Sequence, residues 1–137
     1  HWFYGPTASG KSRQAFLEAG ENAYVVPTTG RFWDLYSGET EVIFDDFRVG
    51  QIDFALLLKI LDRYRMSVEV KGSSVKLAAT KFWITTPLDP VNTYTKHNHN
   101  TGQDYINENI NQLVRRCTDI RRFGPLPEYP IFINEQV

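Results

Sequence analysis

Apolar blocks separated by short polar breaks run through the chain, and their lengths predict strands and helices in alternation. "HWFY" (1–4) is short, aromatic and apolar, and reads as the end of a buried strand. "RQAFLEA" (13–19) is a good helix former that stops at Gly20. "AYVV" (23–26) reads as a strand, and "PTTGRFWDLYSG" (27–38) carries the turn residues of a loop. "TEVIFDDF" (40–47) is a strand whose apolar run ends in two acids. "IDFALLLKILDRY" (52–64) is nearly all apolar and long enough for a buried helix, with Asp53 as its cap.

"MSVEVKGSSVKLAA" (66–79) predicts two short strands around a Lys-Gly-Ser-Ser tip, and "TKFWITT" (80–86) a further strand stopped by Pro87. "PLDPVNTYTKHNHNTGQ" (87–103) is expected to be a polar loop. "YINENINQLVRRC" (105–117) is expected to be a helix with Ile106, Ile110, Leu113 and Val114 on one side. "TDIRRF" (118–123) reads as a last strand, and the Pro-rich "GPLPEYP" begins a tail. Strands alternating with helices imply an α/β sandwich with a mostly parallel sheet, the hairpin being an insertion on that plan.

Composition narrows the class. The chain has 137 residues, 42 % of them apolar, which fits one globular domain with a core. A net charge of −1 means that any nucleic-acid binding must come from local basic groups. The single cysteine, Cys117, excludes an internal disulfide and fits a reducing compartment. No apolar run approaches the roughly 20 residues of a membrane span, so no membrane partner is expected.

Chemistry enters at "GPTASGKS" (5–12), which fits G-x-x-x-x-G-K-S/T between the first strand and the first helix. Gly5 and Gly10 let the backbone of Pro6, Thr7, Ala8 and Ser9 curl so that N–H groups point inward at phosphate oxygens. The helix N-terminus adds partial positive charge. Lys11 is expected to reach the β- and γ-phosphates of a bound nucleotide, and the Ser12 hydroxyl to coordinate Mg²⁺. Asp45 and Asp46 close an apolar strand expected to lie next to the loop strand. There Asp45 would hold the metal, and Asp46 would orient or deprotonate water.

"GPTASGKSR", "FWDLYSGE", "EVIFDDF", "LLLKILDRY", "VEVKGSSV", "KFWITT" and "INQLVRRCTDI" follow in the order and spacing of one family. Together they resemble the superfamily 3 helicase domain of the replication initiators of circovirus-like circular single-stranded DNA viruses. That family is a branch of the AAA+ ATPases. The resemblance covers residues 1–123 and leaves 124–137 as a tail. It implies a P-loop ATPase that assembles as a homo-oligomer, a hexameric ring, and travels on single-stranded DNA in the host nucleus. It also implies an endonuclease domain and an oligomerisation segment ahead of the loop. Arg13 belongs to the first nucleotide motif.

By the same resemblance Lys71 is the backbone-gripping lysine of the DNA hairpin, with Gly72 at the tip and Ser73, Ser74 and Lys76 as further contacts. "QLVRRC" resembles the segment of the arginine finger, Arg116 first and Arg115 second. One departure stands out. The family commonly continues I-T-S-N, and its Asn senses the γ-phosphate, whereas this chain has Pro87 there. Thr86 or Thr85 is left to sense through its hydroxyl. Outside the family, a P-loop small-molecule kinase and a nucleotide-gated DNA-binding ring with weak or no turnover remain alternatives. Trp33 and Tyr36 are expected to pack in the core, and the His97–His99 pair to sit in a loop rather than hold a metal.

Overall fold

The structure is a computed structural model that describes residues 1–28, 32–62, 65–106 and 108–124. The end of the expected helix at 63–64, and the tail beyond Gly124, lie outside the described residues.

Five strands make the central sheet: β1 (Trp2–Tyr4), β2 (Tyr24–Val25), β3 (Glu41–Phe44), β6 (Lys81–Thr86) and β9 (Ile120–Arg122). Their order is β2-β3-β6-β1-β9, and all four pairings are parallel. Parallel strands covered on both faces are apolar throughout, which is why "HWFY" and "EVIF" do not alternate with polar residues. The acid-bearing β3 was expected beside the loop strand β1. Instead β6 lies between them, pairing Trp2 with Ile84 on one edge and Ile43 with Trp83 on the other.

Residues at successive positions on these strands face opposite layers. On one face Phe3, Ile43 and Trp83 receive α1 (Lys11–Ala19) through Ala15 and Ala19. The two alanines, four residues apart, let the helix sit close to the sheet. On the other face Trp2, Val42, Phe44 and Ile84 pack with α2 (Phe54–Ile60), α4 (Ile110–Arg116) and the aromatic group Tyr24, Trp33 and Tyr36. Trp33 and Tyr36 are thus core residues, 5 % and 3 % exposed.

The hairpin forms as expected from β4 (Ser67–Val70) and β5 (Ser73–Lys76), antiparallel and registered Val68 to Val75. Its turn is only Lys71-Gly72, so Ser73 and Ser74 belong to the strand rather than the tip. Gly72 takes the left-handed position at φ 79°.

Three expectations fail along the second half. The helix at 52–64 is shorter, with Asp53 at its N-cap position but making no side-chain cap bond, and Leu56 on its exposed side. The helix expected over 105–117 begins only at Ile110. Asp104–Ile106 is strand β8, antiparallel to β7 (Thr95–His97), and the expected loop also holds the short helix α3 (Pro90–Thr93). Local chemistry explains the change over 87–117. The Asp89 carboxylate accepts the Asn92 N–H at 2.8 Å and caps α3. The Asn98 side chain accepts N–H bonds from Asn100 and Thr101, and Gly102 takes φ 72°, which closes a hairpin. Ile106 therefore packs on the core from a strand. No helix among the described residues is long and apolar enough to cross a membrane.

Candidate functional site

The loop between β1 and α1 leaves the sheet at the carboxyl ends of its strands, where ligands bind in open α/β sheets. Three residues there take positive φ: Gly5 at 149°, Ala8 at 62° and Gly10 at 92°. Such reversals turn backbone N–H groups toward a common centre, a shape suited to an anion. A Cβ on Gly10 would meet nothing within 4 Å, so the mouth is open there. The Ser9 hydroxyl is buried without a partner among the described residues, a polar atom placed for a ligand oxygen. Both features fit a phosphate. Pro6, Thr7, Ala8 and Arg13 are exposed along the rim.

Lys11 is 8 % exposed, and its ammonium donates to the Pro6 carbonyl at 3.0 Å, folded back over the loop. Gly5 has a further duty. A Cβ there would stand 2.3 Å from the Phe123 carbonyl, because the end of β9 passes directly over the loop. That crossing is invisible in the motif itself.

Ser12 opens toward the acids. Its hydroxyl donates to Asp45 Oδ1 at 2.6 Å, and the Thr85 hydroxyl donates to the same oxygen at 2.8 Å. Thr85 Oγ1 also accepts the Asp46 N–H at 2.8 Å. Thr85 is fully buried and sits on β6, the strand interposed between loop and acids. Asp45 Oδ2 has no partner among the described residues, so the Ser12–Asp45 pair could hold a divalent cation. Asp46 takes φ 58°, which aims its carboxylate outward to Arg48 at 2.8 Å. Both side chains of that pair are more than half exposed, so solvent screens it.

Thr86 does not join this cluster. Its hydroxyl donates to the Phe47 carbonyl at 2.8 Å on the opposite face, where Ile84 also points. Strand alternation decides between the two threonines, since Thr85 shares the face of Trp83 and α1. Pro87 stands exposed just past the strand.

The hairpin candidates separate by face. Lys71, 80 % exposed at the turn, lies 3.9 Å from the Asp34 carboxylate. Ser74 and Lys76 alternate with the core-packed Val75, so they face outward opposite Glu69 and Ser67, whereas Ser73 shares the face of Val75. The arginines also separate. Arg116 is tied within its own chain, to Asp62 at 3.0 Å and to the Gln112 carbonyl at 2.7 Å. Arg115 is exposed. Both line a cleft of about 640 Å³ with Arg65 and Lys81. It opens beside His1 and Lys81, at the amino ends of β1 and β6 and so away from the phosphate loop.

His97 pairs with Asp104 at 2.9 Å on the second hairpin rather than in a loop, and His99 packs edge-on against it. Among the described residues the one acid–histidine group close enough to share a metal is His1, Glu18 and Asp119. Arg121 already neutralises both of those carboxylates.

A family model described as RNA helicase matches residues 1–87, a stretch that contains the loop, the acids, the β4–β5 hairpin and β6. The chain belongs to the RNA helicase family. Within and beyond that stretch it is similar to viral proteins. It is 38 % identical over 146 aligned residues to the replication-associated protein of Porcine circovirus 2, covering 98 % of this chain and 46 % of that protein. It is 37 % identical over 105 residues to that of Human associated cyclovirus 1, covering 72 % and 37 %. It is 35 % identical over 132 residues to that of Goose circovirus, covering 95 % and 43 %. The chain thus spans less than half the length of these curated relatives. The matched stretch includes Ser12, Asp45 and Thr85.

Proposed function

We propose that this chain is the superfamily 3, AAA+-type motor of a viral rolling-circle replication initiator, hydrolysing ATP to translocate on single-stranded DNA and unwind duplex. The observation that carries this reading is the convergence of Ser12, Asp45 and Thr85 beneath a loop whose Ser9 hydroxyl and left-handed turns fit phosphate. The sheet order supports it as well, because it puts one strand between loop and acids and so lets a third residue join them.

In this reading the loop N–H groups and the start of α1 hold the triphosphate, and Lys11 leaves the Pro6 carbonyl for the β- and γ-phosphates. Ser12 and Asp45 would hold Mg²⁺, which supplies charge neutralisation at the phosphates. Asp46, at the outward turn, orients the attacking water. A neighbouring subunit of a homohexameric ring supplies an arginine to the transition-state charge. Arg115 suits that part better than Arg116, which is held by Asp62. Lys71 at each hairpin turn follows DNA phosphates without reading bases, and six such contacts in a ring add through multivalency. Residues 1–123 would form this motor in the host nucleus, with the nicking and oligomerisation functions supplied by other parts of the initiator.

Phosphate release should be stimulated by single-stranded DNA in the wild type and abolished in Lys11→Ala. Equal background rates in both proteins would reject the ATPase reading. Stimulation by a soluble phosphate acceptor instead of DNA would favour a kinase.

A further inference from the structure

Leu35 is the most exposed large apolar side chain described, at 92 %, and its backbone holds φ 66°. It occupies the third position of a tight turn, Trp33-Asp34-Leu35-Tyr36, closed by the Tyr36 N–H on the Trp33 carbonyl at 3.1 Å. A left-handed third position is one that glycine fills without strain. A branched apolar residue there is disfavoured by its Cβ, and gains nothing from burial in return.

The turn is held by contacts on several sides. Trp33 and Tyr36 are anchored in the aromatic core on either side. The Tyr24 hydroxyl donates to the Asp34 carbonyl at 2.8 Å, and the Tyr36 hydroxyl to the Glu39 carbonyl. The Trp33 N–H donates to the Glu69 carbonyl at 2.7 Å, which ties the turn to β4 two residues before Lys71. Asp34, next to Leu35, also lies 3.9 Å from the Lys71 ammonium. The turn that carries Leu35 therefore lies next to the hairpin turn that carries Lys71.

We propose that Leu35 is a sequence-independent contact to the bases of the single strand whose phosphates Lys71 grips, a proposal that rests on the hairpin reading above. Apolar side chains of this size press against or between base faces in other nucleic-acid complexes. Asp34, paired with Lys71, is not suited to a phosphate, which leaves Leu35 as the residue of this turn suited to a base face. The chemistry of the edge favours a nucleic acid over a protein partner. Among the described residues near the turn, Ser37, Lys71, Gly72 and Ser73 are exposed and polar or side-chain-free.

The test measures binding of an oligothymidylate and of an abasic deoxyribose-phosphate oligomer of the same length, by fluorescence anisotropy at fixed salt. Leu35→Gly and Leu35→Asn both accept a positive φ, so the fold should persist, which thermal melting checks. Both variants should bind oligothymidylate roughly five- to tenfold more weakly, in the lower part of what losing a base-stacking side chain costs, and bind the abasic strand like the wild type. Lys71→Ala should weaken both ligands alike. Unchanged oligothymidylate affinity in both Leu35 variants would overturn the proposal. So would a loss that follows a change of oligomeric state in sedimentation, since Leu35 would then serve a subunit contact. Equal binding of both ligands by wild type and Lys71→Ala would instead overturn the hairpin reading.

Discussion

Replacing Thr85 by valine keeps the shape of the side chain and removes one oxygen, yet that oxygen makes two bonds between the two acids. It donates to Asp45 Oδ1 at 2.8 Å and accepts the Asp46 N–H at 2.8 Å, from a fully buried position. Losing the bond to a carboxylate removes about 1.5–3 kcal/mol, and an orphaned buried N–H costs about 1–3 kcal/mol. Asp45 keeps Ser12 at 2.6 Å, and the Asp46 side of the turn is near solvent, so the net loss should fall near 2 kcal/mol. For a domain of this size that is a fall in Tm of about 5–10 °C.

The effect on turnover is separable from the effect on stability. With the Asp46 turn released from φ 58°, its carboxylate should wander, and ATP turnover at saturation should drop by about tenfold or more. Nucleotide affinity should change little, since the loop and Lys11 are untouched. Thr85→Ser restores the oxygen and should recover most of the turnover. Melting curves, nucleotide titration and steady-state phosphate release on the three proteins check this. A Thr85→Val protein with wild-type Tm and turnover would refute the reasoning. A serine variant as impaired as valine would assign the role to the methyl group and not the hydroxyl.

Gly5→Ala should be far more disruptive than Gly10→Ala, although both sit in one motif: the first drives a Cβ to 2.3 Å from the Phe123 carbonyl, the second meets nothing within 4 Å. Gly10→Ala should cost about 1–2 kcal/mol from its φ alone, and circular dichroism melts of the pair will rank them. Arg116→Ala should lower Tm by breaking the tie to Asp62, whereas Arg115→Ala should leave Tm unchanged and reduce turnover if it completes a neighbour's site. Turnover retained in Arg115→Ala would remove it from that role. Glu18 will make folding sensitive to acid. Burial raises its pKa, but hydrogen bonds from Gln14, Arg121 and Trp83 outweigh this and hold it below its ordinary 4.5. Its contribution is then complete above pH about 4.5 and is lost as pH falls through the lower folded value. Glu18→Gln should flatten the acid limb of a stability–pH curve; an unchanged limb would show that other groups carry it.

Local sequence determined the elements whose cause is local. "GPTASGKS" places a left-handed loop before a helix because glycines, a lysine and a serine at fixed spacing leave few other backbones. "VEVKGSSV" closes a hairpin because Gly72 accepts a positive φ. Where two local readings competed, the pattern misled: Ile106 and Ile110 share helical spacing, yet Gly102 and the Asn98 side chain close β7 and β8 into a hairpin before the helix can start. What the sequence could not determine is strand order, because parallel neighbours are chosen by packing across long connections and leave no mark on either strand. That choice put β6 between β1 and β3, so that Thr85 reaches the acids from the strand between them, and laid Phe123 over Gly5.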